Sequence, residues 1–151
     1  VILVGTGLSE KKLRRKAKGF TNPPHIGYMS DRQLMKALGY ADLYVHAGEV
    51  ELESLSCLEA MGSGLVPLIS SSSQSATPQF AMDSRSLFPP RKPKLLAKKI
   101  DYWIEHPDAR KEMEQKYADI VKQYSITESV ANFEKMLMDE ISDNETAQKN
   151  R

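Results

Sequence analysis

The chain has a single cysteine, Cys57, which excludes an internal disulfide framework. That cysteine lies in an apolar stretch, where a thiol serves as a small hydrophobe rather than a nucleophile. No apolar run approaches the roughly 20 residues that a membrane-spanning helix needs. Neither charge sign dominates: 21 Lys and Arg stand against 20 Asp and Glu. The basic excess that a nucleic-acid binder needs for phosphate contacts is absent, so no nucleic-acid partner is expected. The three histidines, His25, His46 and His106, lack metal-ligand spacing among themselves. No signal peptide opens the chain, and a reducing, cytoplasmic setting fits the cysteine usage. Gly5-Thr6-Gly7 begins like a dinucleotide fingerprint, but Glu10 stands where its third glycine belongs, which disfavours a dinucleotide oxidoreductase. The serines 70–75 sit in no nucleophile-elbow context.

What is present is an alternation of short apolar runs and helical segments. At 151 residues, one domain with a sizeable core is expected. Val1–Val4 reads as a strand already inside a fold. With no initiator methionine, the chain reads as a piece of a longer protein. Ser9 is placed to cap a helix reaching about Lys18, with Leu8 and Leu13 spaced as a hydrophobic staple. A short strand is expected near His25-Ile26-Gly27. A helix capped by Ser30 follows, with Gln33 at the capping-box position and Met29 and Leu34 as its staple. Leu43–His46 and Val66–Ile69 read as strands on either side of a helix that carries Leu55, Leu58 and Met61 at the spacing of a packed face. Serines 70–75 read as a polar loop, Thr77–Met82 as a short helix and Ser86–Phe88 as a last strand. From Pro93 on, three helical segments follow. The first carries Leu95, Leu96, Lys99, Ile100 and Trp103, and the second starts after His106-Pro107. The third runs from Thr127, with Val130, Phe133, Leu137 and Ile141 on one face. Residues 142–151 are polar and expected to fray. Strands separated by helices of this length imply βαβ units and a Rossmann-like parallel sheet, with ligands at the carboxyl ends of the strands. The turns at Gly5–Gly7, Gly27–Ser30 and Glu49–Ser54 are expected on that one edge.

The chemistry concentrates in Glu51 and Glu59. Glu59 falls within the apolar turn LSCLEAMG, where a carboxylate costs stability unless paired. Glu51 lies just before that helix, beside Ser54, a residue type suited to the N-cap. Free N–H groups at a helix start favour phosphate, and carboxylates accept hydrogen bonds from hydroxyls. Phosphate and hydroxyls together describe a nucleotide sugar. Bland readings compete at each further site. Gly5 and Gly7 make either a tight turn or a close backbone approach to a nucleotide. Lys11, Lys12, Arg14, Arg15, Lys16 and Lys18 form either a solvated face or a peripheral contact with anionic membrane. His46 either touches ligand or makes a structural hydrogen bond, and serines 70–75 form either a flexible polar loop or a phosphate or sugar contact. A buried Glu can simply be salt-bridged, and Glu49 and Glu53 add further carboxylates to the same loop.

These motifs, in this order, resemble the C-terminal, donor-binding half of GT-B glycosyltransferases of family 4. The family's E-x7-E signature corresponds to Glu51 through Glu59, with Leu58-Glu59-Ala60-Met61, the turn Gly62-Ser63-Gly64 and the strand Val66–Ile69. Val4–Gly7, Gly27–Asp31 and Tyr124-Ser125 match weaker family elements, so the resemblance spans about residues 1–141. It implies a retaining, metal-independent and cofactor-free transfer of a hexose from a nucleoside diphosphate, UDP being the commonest donor nucleotide in the family. Carried over by position, Glu51 faces the donor sugar and Glu59 holds the ribose hydroxyls. Backbone N–H groups of Glu53, Ser54, Leu55 and Ser56 cradle the diphosphate, and Tyr28, Met29 and Ser30 flank the base. Residues 75–81 and 85–88 depart from the commonest pattern and look like a subgroup acting in capsular-polysaccharide or glycolipid synthesis. The family's first strand of this half, its basic pair and its acceptor-binding N-terminal domain would precede Val1. The leaving diphosphate needs cationic stabilisation. The chain alone is therefore expected to bind nucleotide weakly and to turn nothing over, with its last helix packing toward the N-terminal domain and leaving Phe133 and Met136 exposed. A GT-B-type sugar-nucleotide epimerase and a non-catalytic nucleotide-sugar module are the alternatives.

Overall fold

The computed structural model describes residues 1–149, with side chains through residue 142. The chain divides into two compact units, Val1–Ala41 and Asp42–Arg151. The strands form two parallel sheets, one in each unit, rather than the single hydrogen-bonded sheet expected.

In the first unit, β1 (Ile2–Val4) pairs in parallel with β2 (His25–Gly27), and Leu3 stands opposite Ile26. Helix α1 (Glu10–Ala17) crosses between them. Arg14 donates to the Ile26 carbonyl and to Glu10 Oε1, the latter at 2.9 Å. Ser9 occupies the N-cap position of α1, but its side chain makes no cap bond. Leu8 is fully exposed, so the expected staple with Leu13 does not form. Helix α2 (Asp31–Tyr40) begins as its sequence requires. Gln33 Oε1 accepts from the Ser30 N–H at 2.9 Å, closing a capping box.

The second unit holds the larger core. Strand β4 (Val66–Ser70) lies between β3 (Leu43–His46) and β5 (Leu87–Phe88), all parallel. Every residue of β4 is buried, as an apolar run in the middle of a parallel sheet should be. The serine stretch is therefore not all loop: Ser70 closes β4, 1 % exposed. Helix α3 (Leu55–Gly62) connects β3 to β4. The expected short helix after β4 is a 3₁₀ turn at Thr77–Phe80, followed by another at Ser84–Ser86. Helices α4 (Pro93–Glu105) and α5 (Pro107–Ile120) each carry proline in the first turn, where its missing N–H costs nothing. Trp103, Met113 and Tyr117 from these helices pack with Cys57, Met61, Val66, Leu68, Ile69, Phe80 and Phe88. Tyr117 is fully buried; its hydroxyl donates to Ser86 Oγ at 2.8 Å and accepts from the Met82 N–H at 3.0 Å.

Helix α6 (Ile126–Lys149) continues past Ile141, where fraying was expected. Its periodic apolar residues Val130, Phe133, Leu137 and Ile141 are exposed, as is Met136. No helix among the described residues is long and apolar enough to cross a membrane.

Candidate functional site

The carboxyl end of β3 feeds the loop that carries Glu51, and α3 starts a few residues later. Tyr44 and His46 stand two apart in β3 and so share a face of the strand. His46 is buried. Its Nδ1 lies 3.2 Å from Ser54 Oγ and 3.5 Å from Tyr44 Oη. Its Nε2 lies 3.4 Å from Thr77 Oγ1 and 4.0 Å from Glu51 Oε2. Tyr44 Oη also pairs with Ser56 Oγ at 2.9 Å, and Ser75 Oγ donates to Thr77 Oγ1 at 3.0 Å. Of the two roles considered for His46, these contacts supply the structural hydrogen bond.

Burial lowers the His46 imidazole below its ordinary value, and the Glu51 carboxylate pulls the other way. Burial raises the Tyr44 phenol; the Ser56 hydrogen bond opposes this, and nearby Cys57, Glu51 and Glu59 add to it. Cys57 is fully buried and its thiol is pushed up to about 12, which keeps it a packing residue.

Glu51 is held by its backbone. Its N–H donates to the Gln74 carbonyl at 3.3 Å and its carbonyl accepts from the Ala76 N–H at 2.9 Å. Ser72 Oγ donates to the Glu49 carbonyl at 2.6 Å. The Glu49 carboxylate takes Arg91 Nε at 3.0 Å on each oxygen, and Arg91 itself sits at φ 59°, a left-handed backbone uncommon outside glycine. Gly48 lies directly against the imidazole: a Cβ there would stand 2.8 Å from His46 Nε2. With its backbone fixed, the Glu51 side chain remains 37 % exposed.

Helix α3 is seated differently from its expected packing. Cys57, Ala60 and Met61 are buried, Leu58 is half-buried, and Leu55 is exposed. Cys57 and Met61 join the core with Val66, Leu68 and Ile69 of β4. Glu59 then falls on the outer face beside Leu55 and Ser56, open to solvent. It is not the buried carboxylate that its apolar neighbours suggested, and no pairing partner is required to offset burial.

The start of α3 is uncapped. Ser54 occupies the N-cap position with φ −113° and ψ 75°, and its side chain makes no cap bond. The first backbone bonds run from the Cys57 and Leu58 N–H groups to the Ser54 carbonyl, at 2.9 and 3.2 Å. Among the described residues, the N–H groups of Glu53, Ser54, Leu55 and Ser56 meet no protein acceptor. Such a group of donors, at the positive end of a helix dipole, suits an anion. Among the described residues, no three His, Cys, Asp or Glu side chains gather where they could hold a metal ion.

Two hollows border strand ends. One, of about 250 Å³, is lined by Ala47, Glu49, Ser70, Phe88, Arg91 and Leu96; the buried Ser70 Oγ has no hydrogen-bond partner among the described residues. The other belongs to the first unit. It measures about 180 Å³ and lies over the Gly5–Gly7 turn, with Leu3, Ser9, Glu10 and Ile26 in its lining. Gly5 takes φ 138°, a conformation that favours glycine, so the turn reading of this motif has its structural reason. Tyr28 beyond β2 is 73 % exposed, Met29 is half-buried, and Ser30 serves the α2 cap. Lys11, Lys12, Arg15 and Lys16 of α1, and Lys18 just after it, are all exposed.

Sequence reasoning missed Tyr44, Ser75 and Thr77 as members of the Glu51 surroundings. Tyr44 could have been found from its two-residue spacing to His46. Thr77 reaches His46 across 31 positions of sequence and left no local signal.

Residues 1–120 match the family of glycosyl transferases group 1. Among solved structures, the chain is similar to the catalytic domain of cholesterol-alpha-glucosyltransferase from Helicobacter pylori. The two are 40% identical with a TM-score of 0.77, over 82% of this chain and 79% of that one. No curated protein matches the chain. An α/β fold of parallel sheets and flanking helices, the E-x7-E loop at the end of a strand, and the family match over most of the sequence agree: the chain belongs to the glycosyl transferases group 1, with the fold of a GT-B glycosyltransferase domain.

Proposed function

We propose that this chain is the nucleotide-sugar donor domain of a retaining, metal-independent hexosyltransferase. The observation that carries the reading is the uncapped start of α3, with four N–H groups free beside the half-exposed Glu51 carboxylate. The diphosphate of the donor lies on those N–H groups. Glu51 faces the sugar and supports the positive charge that develops at its reacting carbon. Glu59, one turn on and exposed, accepts the ribose hydroxyls. We assign the base as uracil on the family's commonest usage. The Helicobacter relative is a cholesterol-alpha-glucosyltransferase; by likeness, glucose is the sugar and a lipid or saccharide the acceptor, in cell-surface glycan or glycolipid synthesis. We assign acceptor selection to a further N-terminal domain outside this sequence, and place the protein in the cytoplasm, with α1 as its peripheral contact to the membrane.

Ligand-observed NMR of the chain with UDP, GDP and ADP tests this. One nucleotide binds selectively, and Glu59→Ala weakens it at least tenfold. Equal binding by the variant removes Glu59 from the ribose, and silence toward all three nucleotides refutes the donor assignment.

A further inference from the structure

Among the described residues, Ser9, Ser30 and Ser54 occupy N-cap positions of helices; Ser9 makes no cap bond either, and Ser30 and Ser54 differ in what holds the hydroxyl. Ser30 has the extended backbone of an ordinary cap, φ −67° and ψ 159°, and joins a capping box. Ser54 has φ −113° and ψ 75°, and its hydroxyl makes no bond to the helix it precedes. Serine is favoured at this position because its hydroxyl accepts from the second or third helical N–H. In α3 that hydroxyl is instead 3.2 Å from His46 Nδ1.

The surroundings of the imidazole fix which nitrogen does what. Tyr44 Oη and Ser54 Oγ are on the Nδ1 side, Thr77 Oγ1 and the Glu51 carboxylate on the Nε2 side. A carboxylate facing Nε2 favours the proton there, which leaves Nδ1 to accept from the serine. One carbon added at Gly48 would stand 2.8 Å from Nε2, so the ring occupies the space a side chain there would need. Both ring nitrogens are thus committed within the protein.

We propose that His46 is a positioning residue: by holding the Ser54 hydroxyl it keeps the α3 N-terminus uncapped, so that the Ser56 N–H and its neighbours stay open to a diphosphate. The ligand half of this statement rests on the donor-domain reading; the serine half does not. Without His46, Ser54 relaxes toward the Ser30 geometry and caps its own helix. The local fold then gains a hydrogen bond, and the anion loses a donor.

The test uses the whole chain and three variants. His46→Asn places a side-chain oxygen near the position of Nδ1 and retains the hold on Ser54. His46→Gln supplies a group near Nε2 and releases it. His46→Gln with Ser54→Ala removes the released hydroxyl. Amide hydrogen exchange at Ser56 needs no nucleotide. It slows about fivefold or more in His46→Gln, stays near wild type in His46→Asn, and returns to wild type in the double variant. Affinity for UDP, GDP and ADP, whichever the wild type binds, falls roughly five- to tenfold in His46→Gln, the scale of a serine cap. The double variant recovers it. Ser56 exchange unchanged in His46→Gln, or a double variant weaker than the single one, overturns the proposal. A wild type that binds no nucleotide while Ser56 responds as stated refutes the donor reading and leaves the serine hold standing.

Discussion

Replacing Gly48 by alanine should destabilise the protein, although glycine-to-alanine changes usually do the opposite. At a position with compatible backbone and free space, the added methyl restricts the unfolded chain and gains about 0.4–1 kcal/mol. Gly48 has no free space. The new Cβ would lie 2.8 Å from His46 Nε2, about 0.6 Å inside the 3.4 Å at which ordinary contact begins. A side-chain tip can usually swing away, but this one is buried and bonded at both nitrogens, to Ser54 and Thr77. Displacing it costs the overpacking penalty of about 1–3 kcal/mol. Set against the chain-entropy gain, the net loss spans about 0–2.6 kcal/mol, centred on about 1.3 kcal/mol. Gly62 is the control within the same unit: it ends α3, and a Cβ there would meet only Val121 Cγ1, at an ordinary 3.7 Å. Gly62→Ala should gain about 0.5–1 kcal/mol by helix propensity. Urea denaturation of both variants, read as a shift of midpoint at constant slope, gives the two signs directly. A Gly48→Ala protein as stable as wild type would refute the argument that the imidazole is fixed.

Acidification and a core hydroxyl supply further tests. Burial lowers the folded His46, so the unfolded chain takes up the proton first, near the ordinary value of about 6.5. Stability should therefore fall as pH drops below about 6.5, until the folded ring titrates as well. Denaturation midpoints of wild type and His46→Asn, followed from pH 7 to about 5, should converge; parallel curves would show that His46 carries no such linkage. Tyr117→Phe leaves the Met82 N–H and the buried Ser86 hydroxyl without their partner, at a cost of about 1–3 kcal/mol. A thermal midpoint within a degree of wild type would mean that solvent replaces both bonds.

The strands were legible because β3 and β4 are short apolar runs bounded by polar loops, and the Ser30 cap because both halves of its box are local. Helix α3 was legible in extent but not in orientation. Leu55, Leu58 and Met61 form the larger apolar stripe, yet the buried face is the one with Cys57, Ala60 and Met61, and Leu55 is exposed. That rotation turns Glu59 outward, and no count of apolar residues would have shown it. The expected Leu8 staple failed because α1 starts with Leu8 standing clear in solvent. At the candidate site, Glu51 and Ser54 could be read from the E-x7-E spacing and the cap position. The diversion of the Ser54 hydroxyl to His46 could not, because it depends on how β3 sits against the start of α3. Thr77 and Ser75 were unreadable for a related reason: their contacts join distant stretches of sequence.

The lacing of Glu51 to residues 72–77 has a mechanical consequence. Two backbone bonds to Gln74 and Ala76, with the Ser72 bond to Glu49, make the carboxylate's loop and the serine stretch one double-stranded strap. The Glu51 backbone cannot move by bending its own segment alone, since the strap would have to travel with it or part. The reach of the carboxylate is thus set from outside its signature, by the stretch from Ser72 to Ala76. A change of length in that run would re-aim Glu51 while leaving every residue of the E-x7-E motif in place.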